Sequence, residues 1–216
     1  MSAHGARPRQ RLSPQARREQ LLDVTLELAA QGDVALVSAK EVAERAGVSE
    51  GLVFHYFKTR QELMTAAVSR AAESLLAGLE SGTLVGSPQA QVEAALDAYL
   101  AHVQAQPTGW RALLAARTGE LADVAADVER RSQAWALRVL GVPEPGPALQ
   151  IALSGWAGFE REACLAWLDH PDVPASVVKD QLLAALTAAL SAAARHDPQA
   201  RQAMERLTAG EVRGSG

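Results

Sequence analysis

Cysteine is nearly missing from this chain: its 216 residues include one, Cys164. A lone thiol excludes an internal disulfide framework and any cysteine-rich zinc site. It also fits a reducing compartment, so a cytoplasmic location is expected. No uninterrupted apolar run approaches the ~20 residues of a membrane span. The N-terminal stretch MSAHGARPRQRLSP has no apolar core, so no secretory signal is expected there. Lysine is scarce as well, 3 against 18 arginines, which reads as composition bias and carries no function. A net basic charge is also lacking. The formal total is −4, which at first sight argues against a nucleic-acid partner. A total hides where charges sit, and here they divide unevenly. Residues 1–65 hold nine Lys and Arg against eight Asp and Glu, residues 66–216 twelve against seventeen. The first 18 residues carry five arginines and no acid.

The signatures of common catalytic sites are missing too. His4, His55, His102, His170 and His196 are scattered, and none forms a metal-binding HExxH pair. There is no G-x-S-x-G elbow and no phosphate-binding P-loop. Cys164 has no base beside it in sequence. No enzyme activity, catalytic residue, metal or cofactor is expected. Nor does any stretch alternate with period two, so no sheet is expected.

What is present is helix. Ala, Leu, Glu, Gln and Arg dominate, and all are strong helix formers. Breakers at Gly32-Asp33, Gly47, Gly82 to Pro88, Pro107, Gly119, 141–145 and 170–174 divide the chain. They leave about nine helices: one from Ser13-Pro14, two short ones over 38–46 and 49–57, a long one to about residue 80, and five over 89–106, 109–117, 121–140, 147–169 and 175–196. The tail from Asp197 can continue helical to Ala209, and 210–216 is expected to fray. Ser38 and Glu41 form an S-x-x-E capping box, and Ser49 and Thr59 are further N-caps. Two short helices joined through Gly47-Val48, with Val42, Ala43 and Val53 facing inward, make a helix-turn-helix. The second helix of such a pair can enter a DNA major groove.

The stretch VSAKEVAERAGVSEGLVFHYFKTRQEL, residues 37–63, resembles the TetR family of bacterial transcription regulators. The resemblance rests on Ser38, Val42, Ala43, Ala46, Gly47, Val48, Ser49, Val53, Phe54, Tyr56, Phe57, Arg60 and Leu63 in one ungapped window. It implies an all-α protein: a flexible basic arm (1–12), a three-helix DNA-binding domain (13–60), a larger helical ligand-binding and dimerisation domain (61–209), and a disordered tail (210–216). The implied DNA-contacting set is Ser38, Lys40, Ser49, Glu50, Gly51, Leu52, His55, Tyr56, Lys58 and Arg60. Tyr56 can donate to a phosphate, Leu52 can press on a thymine methyl, and Glu50 can accept from cytosine N4. Lys58 and Arg60 stand where the family places a phosphate-binding cation, whereas Phe54 and Leu52 replace a common Tyr and Thr. Phe54 and Phe57 are expected to pack in the core.

Beyond residue 80 the resemblance is architectural. Tyr99, His102, Trp110, Trp135, Trp156 and Phe159 are the candidate ligand contacts, since an apolar helical cavity with a few polar groups suits a small molecule. Apolar rows at i+3/i+4 spacing place Glu160, Ala163 and Trp167 on one helix and Val178, Leu182, Ala185, Leu186 and Ala189 on the next as the dimer interface. The reading is a homodimeric repressor of double-stranded operator DNA, released by a small, largely apolar effector, with no membrane partner. An activator, or a protein of this architecture that acts through a protein partner, is the alternative.

Overall fold

The computed structural model describes residues 12–31, 37–81 and 86–209. The expected arm, apart from Leu12, and the tail 210–216 lie outside the described residues. These hold ten α-helices and no strand: α1 (Pro14–Gln31), α2 (Ala39–Ala46), α3 (Glu50–Tyr56), α4 (Arg60–Ser81), α5 (Pro88–Ala105), α6 (Pro107–Ala115), α7 (Glu120–Val139), α8 (Pro147–Leu168), α9 (Ala175–Ala194) and α10 (Pro198–Thr208). The all-α class is as the sequence implies. The extra helix is α10, set apart from α9 because Asp197 caps it and Pro198 takes its first position.

The chain packs as two units, Met1–Ala67 and Val68–Gly216, so the division falls inside α4 rather than at its start. The first unit closes on Leu21, Leu22, Val42, Val53, Phe57 and Leu63. Thr25 is buried among them and satisfies its hydroxyl on the Leu21 carbonyl at 2.7 Å. Two helices of eight and seven residues are too short to be stable alone. They persist because Val42, Ala43 and Val53 bury one face and because their ends are capped.

The second unit wraps α5–α10 around Leu100, Leu113, Leu149, Cys164, Leu182 and Leu190. One buried carboxylate, Asp197, holds two helix starts. Its Oδ1 accepts from the Gln199 and Ala200 amides at 2.8 and 3.4 Å, and its Oδ2 accepts from the Leu149 amide at 3.2 Å. Gly146 makes room for that carboxylate, since a Cβ there would stand 2.6 Å from Oδ2. Arg131 of α7 ties that helix to α4 by donating to Glu73 at 2.7 Å and to Glu80 at 2.7 and 2.9 Å. By length and composition α9 could cross a membrane. Its Val178, Leu182, Leu186 and Leu190 pack into this core.

Candidate nucleic-acid interface and effector cavity

The helix-turn-helix is built from its caps outward. Ser38 Oγ accepts from the Glu41 amide at 3.2 Å, and the Glu41 carboxylate accepts from the Ser38 amide at 2.8 Å. The Ser38 amide and hydroxyl, both donating to that carboxylate, hold the Glu41 carboxyl below its ordinary range. Gly47 ends α2 in the left-handed region at φ 69°, where a side chain would be strained. Val48 then returns its amide to the Ala43 carbonyl at 2.9 Å. Ser49 opens α3 by accepting from the Leu52 amide at 3.2 Å.

This geometry leaves Ser49, Glu50, Gly51 and His55 exposed on one face of α3, with Lys58 exposed just beyond it and Lys40 exposed on α2. Ser38, Leu52 and Tyr56 are half-buried, and the Tyr56 ring stands edge-on to His55 at 5.4 Å. Open space lies where a Gly51 Cβ would sit, so that turn presents backbone outward.

Two expectations change. Phe57 is buried, but Phe54 is not a core residue: it is 45% exposed. It follows Glu50 by four residues and Gly51 by three, which puts it on their exposed face of α3, so an aromatic ring joins the candidate contact surface. Arg60 is no simple projecting cation either. Its Nε donates to the Val37 carbonyl at 2.7 Å, which fixes the backbone that leads into α2. That is a positioning role absent from the sequence reading, and the pattern gave no signal for it.

The second unit contains a cavity of about 340 Å³ between α4, α5, α6, α7, α8 and α9. That is within the usual range for small-molecule pockets. Of the expected ligand contacts, Tyr99, Trp110, Trp135 and Trp156 line it. The structure does not bring His102 or Phe159 there. The His102 ring turns back to the Ala98 carbonyl at 2.8 Å, and Phe159 faces outward at 44% exposure. Leucines 75, 79, 96, 113, 114, 140, 153 and 186 supply the apolar wall, and Arg117, Glu129, Ser132, Gln133, Glu160 and Arg161 the polar part.

Glu160 is the main correction to the dimer set. It borders the cavity beside Tyr99, and burial pushes its carboxyl up to about 7. The neighbouring Glu129 adds to the rise, while Tyr99 and Arg161 oppose it. Burial also pushes the Cys164 thiol up to about 12, so it is an inert, protonated core group. Trp167, Val178, Leu182 and Leu186 leave the dimer set too, because they belong to the core of the unit itself. Ala163, Ala185 and Ala189 are half-buried. A row at i+3/i+4 identifies the buried face of a helix without saying what buries it. The large apolar side chains left exposed on α8 and α9 are Ile151, Phe159 and Val177. None of the three was in that set.

Comparisons agree with both units. A family described as bacterial regulatory proteins, tetR family, matches residues 21–67, and the tetracyclin repressor-like C-terminal domain matches residues 88–190. The transcriptional regulator LuxR of Vibrio harveyi is 41% identical over 64 residues, covering 30% of this chain and 31% of that protein. The transcriptional repressor KstR of Mycolicibacterium smegmatis is 36% identical over 70 residues, covering 32% and 34%. The chain therefore spans about a third of the length of these curated relatives. A tetR-family transcriptional regulator from Streptomyces coelicolor superposes over 92% of this chain and 91% of its own, with a TM-score of 0.80 and 26% identity. With both of its units matched and a full-length structural counterpart, the chain belongs to the tetR family of bacterial regulatory proteins, a family of DNA-binding regulators and not of enzymes.

Proposed function

We propose that this protein is a cytoplasmic, homodimeric transcriptional repressor that leaves its operator when a small, largely apolar effector enters the cavity of the second unit. The observation that carries the reading is the exposed face of α3. A capped seven-residue helix presents Glu50, Gly51, Phe54 and His55 together and is followed by an exposed Lys58. Lysine and the polar helix end bind phosphate and set register, while the helix face reads base edges. Ser38, Lys40, Ser49, Leu52 and Tyr56 complete the proposed contact set. Arg60 acts in it by fixing the entry to α2.

The cavity supports the effector half of the reading: it is lined mainly by apolar and aromatic side chains, with a few polar groups among them. An effector that binds two conformations unequally shifts their populations, and by linkage weakens DNA binding by the same factor that DNA weakens effector binding. Selection of bound sequences from a random DNA pool, repeated with candidate apolar ligands, tests both halves. Enrichment of a two-fold symmetric site, lost with a ligand, is the expected result. No enrichment of any sequence overturns the repressor reading in favour of action through a protein partner. Enriched DNA whose occupancy rises with ligand favours an activator.

A further inference from the structure

We propose that the effector is an uncharged molecule, apolar over most of its surface, that offers a hydrogen-bond-accepting oxygen to the indole N–H of Trp110 and the hydroxyl of Tyr99. The inference rests on the reading of this cavity as an effector site. Both atoms are buried, and among the described residues neither makes a hydrogen bond of ordinary geometry. A buried polar group without a partner is costly and uncommon. Elsewhere in the same unit the fold does provide acceptors for its indoles: Trp156 Nε1 donates to the Leu182 carbonyl at 2.9 Å, and Trp167 Nε1 to the Val173 carbonyl at 2.8 Å. The two orphaned groups belong to residues that line the cavity, and their rings pack edge to face at 5.4 Å, so they act as one wall.

The chemistry of these groups selects among ligands. An indole N–H can only donate, so a cation leaves Trp110 unpaired. Tyr99 lies near Glu160 and Cys164, close enough to influence their titration, yet has no hydrogen bond of ordinary geometry. A protonated Glu160 adds a third donor to the same wall. An anionic ligand meets Glu129 at the lining, while the lining arginines are engaged: Arg117 and Arg161 both pair with Glu162, at 3.2 and 3.5 Å. Burying a net charge there is expensive, and a neutral carbonyl or ether oxygen avoids that cost.

The test uses the full chain and three probes that share a ten-carbon scale: 2-decanone, decanoate and decyltrimethylammonium, titrated by calorimetry at pH 7. The ketone is expected to bind about tenfold more tightly than either ion, as sites built around a hydrogen bond discriminate. Tyr99→Phe and Trp110→Phe are each expected to weaken the ketone several-fold and leave the ions unchanged. Tyr99→Phe removes only a hydroxyl and keeps the test valid if Trp110→Phe fails to fold. An ion that binds as tightly as the ketone, or ketone binding unaffected by Tyr99→Phe, overturns the inference while the effector site stands. No binding by any probe overturns both.

Discussion

Individual side chains in the helix-turn-helix carry separable tasks. Lys58 is exposed and follows α3, and in the proposed contact set it supplies one phosphate contact. Lys58→Ala is expected to weaken binding about equally on all sequences and to reduce the slope of log K against log salt by about 0.9. A binding series over salt concentration checks this, and an unchanged slope contradicts it. Glu160 gives a residue-scale expectation for stability. Its carboxyl, faced by Tyr99, Cys164, Glu129 and Arg161, titrates near 7 when folded and near 4.5 when unfolded. Between those values the folded state binds more protons, so stability falls as pH rises through the window and the full penalty applies above it. Glu160→Gln removes the penalty. It is expected to match the parent below about pH 4.5 and exceed it by about 2–3 kcal/mol above pH 7. Urea melts at pH 4.5 and 8 decide it.

Elements depend on their ends as much as on their faces. Asp197 is the clearest case, since one carboxylate satisfies amides at the start of α10 and a third at the start of α8. Asp197→Ala leaves these donors buried without acceptors, with an expected cost of about 2 kcal/mol. Thermal melts of the variant read that loss, and an unaltered midpoint shows that water replaces the carboxylate. The sequence disclosed the elements well because helix starts and stops are local chemistry. Ser38, Ser49, Thr59 and Gly47 mark ends that the structure places within a residue of expectation. Asp197-Pro198 was the same kind of signal, and its consequence was a separate α10. The cavity was only partly legible. Aromatic residues on separate helices suggested it, but which of them converge depends on helix rotation. Tyr99 and His102 are three residues apart, and only Tyr99 lines the cavity. Arg60 was missed as an anchor because its partner is a backbone carbonyl 23 residues away, which no sequence pattern encodes.

At the scale of the whole molecule, the acidic total that seemed to oppose DNA belongs mostly to residues 66–216, while residues 1–65 are close to balanced. A phosphate-binding surface needs only a local excess of cations. What a single chain does not resolve is its exposed apolar surface. Ile151 is 74% exposed on α8, with Phe159 two turns on and Val177 exposed on α9. Between them Gly155 leaves open space where a Cβ would stand, and Ala184 and Ala188 are exposed on α9. Small residues flanked by large apolar ones let two helix pairs approach closely, and such a patch on an isolated chain marks an interface. In the homodimer proposed above, this patch packs against its own copy. Ile151 contributes little to the fold of one chain, so Ile151→Asp separates association from folding. The variant is expected to retain its helical signal and cooperative melt, to run as a monomer in light scattering at micromolar concentration, and to lose affinity for a symmetric operator. A variant that remains dimeric moves the interface away from α8, and a parent chain that is itself monomeric removes the dimer from the proposed function.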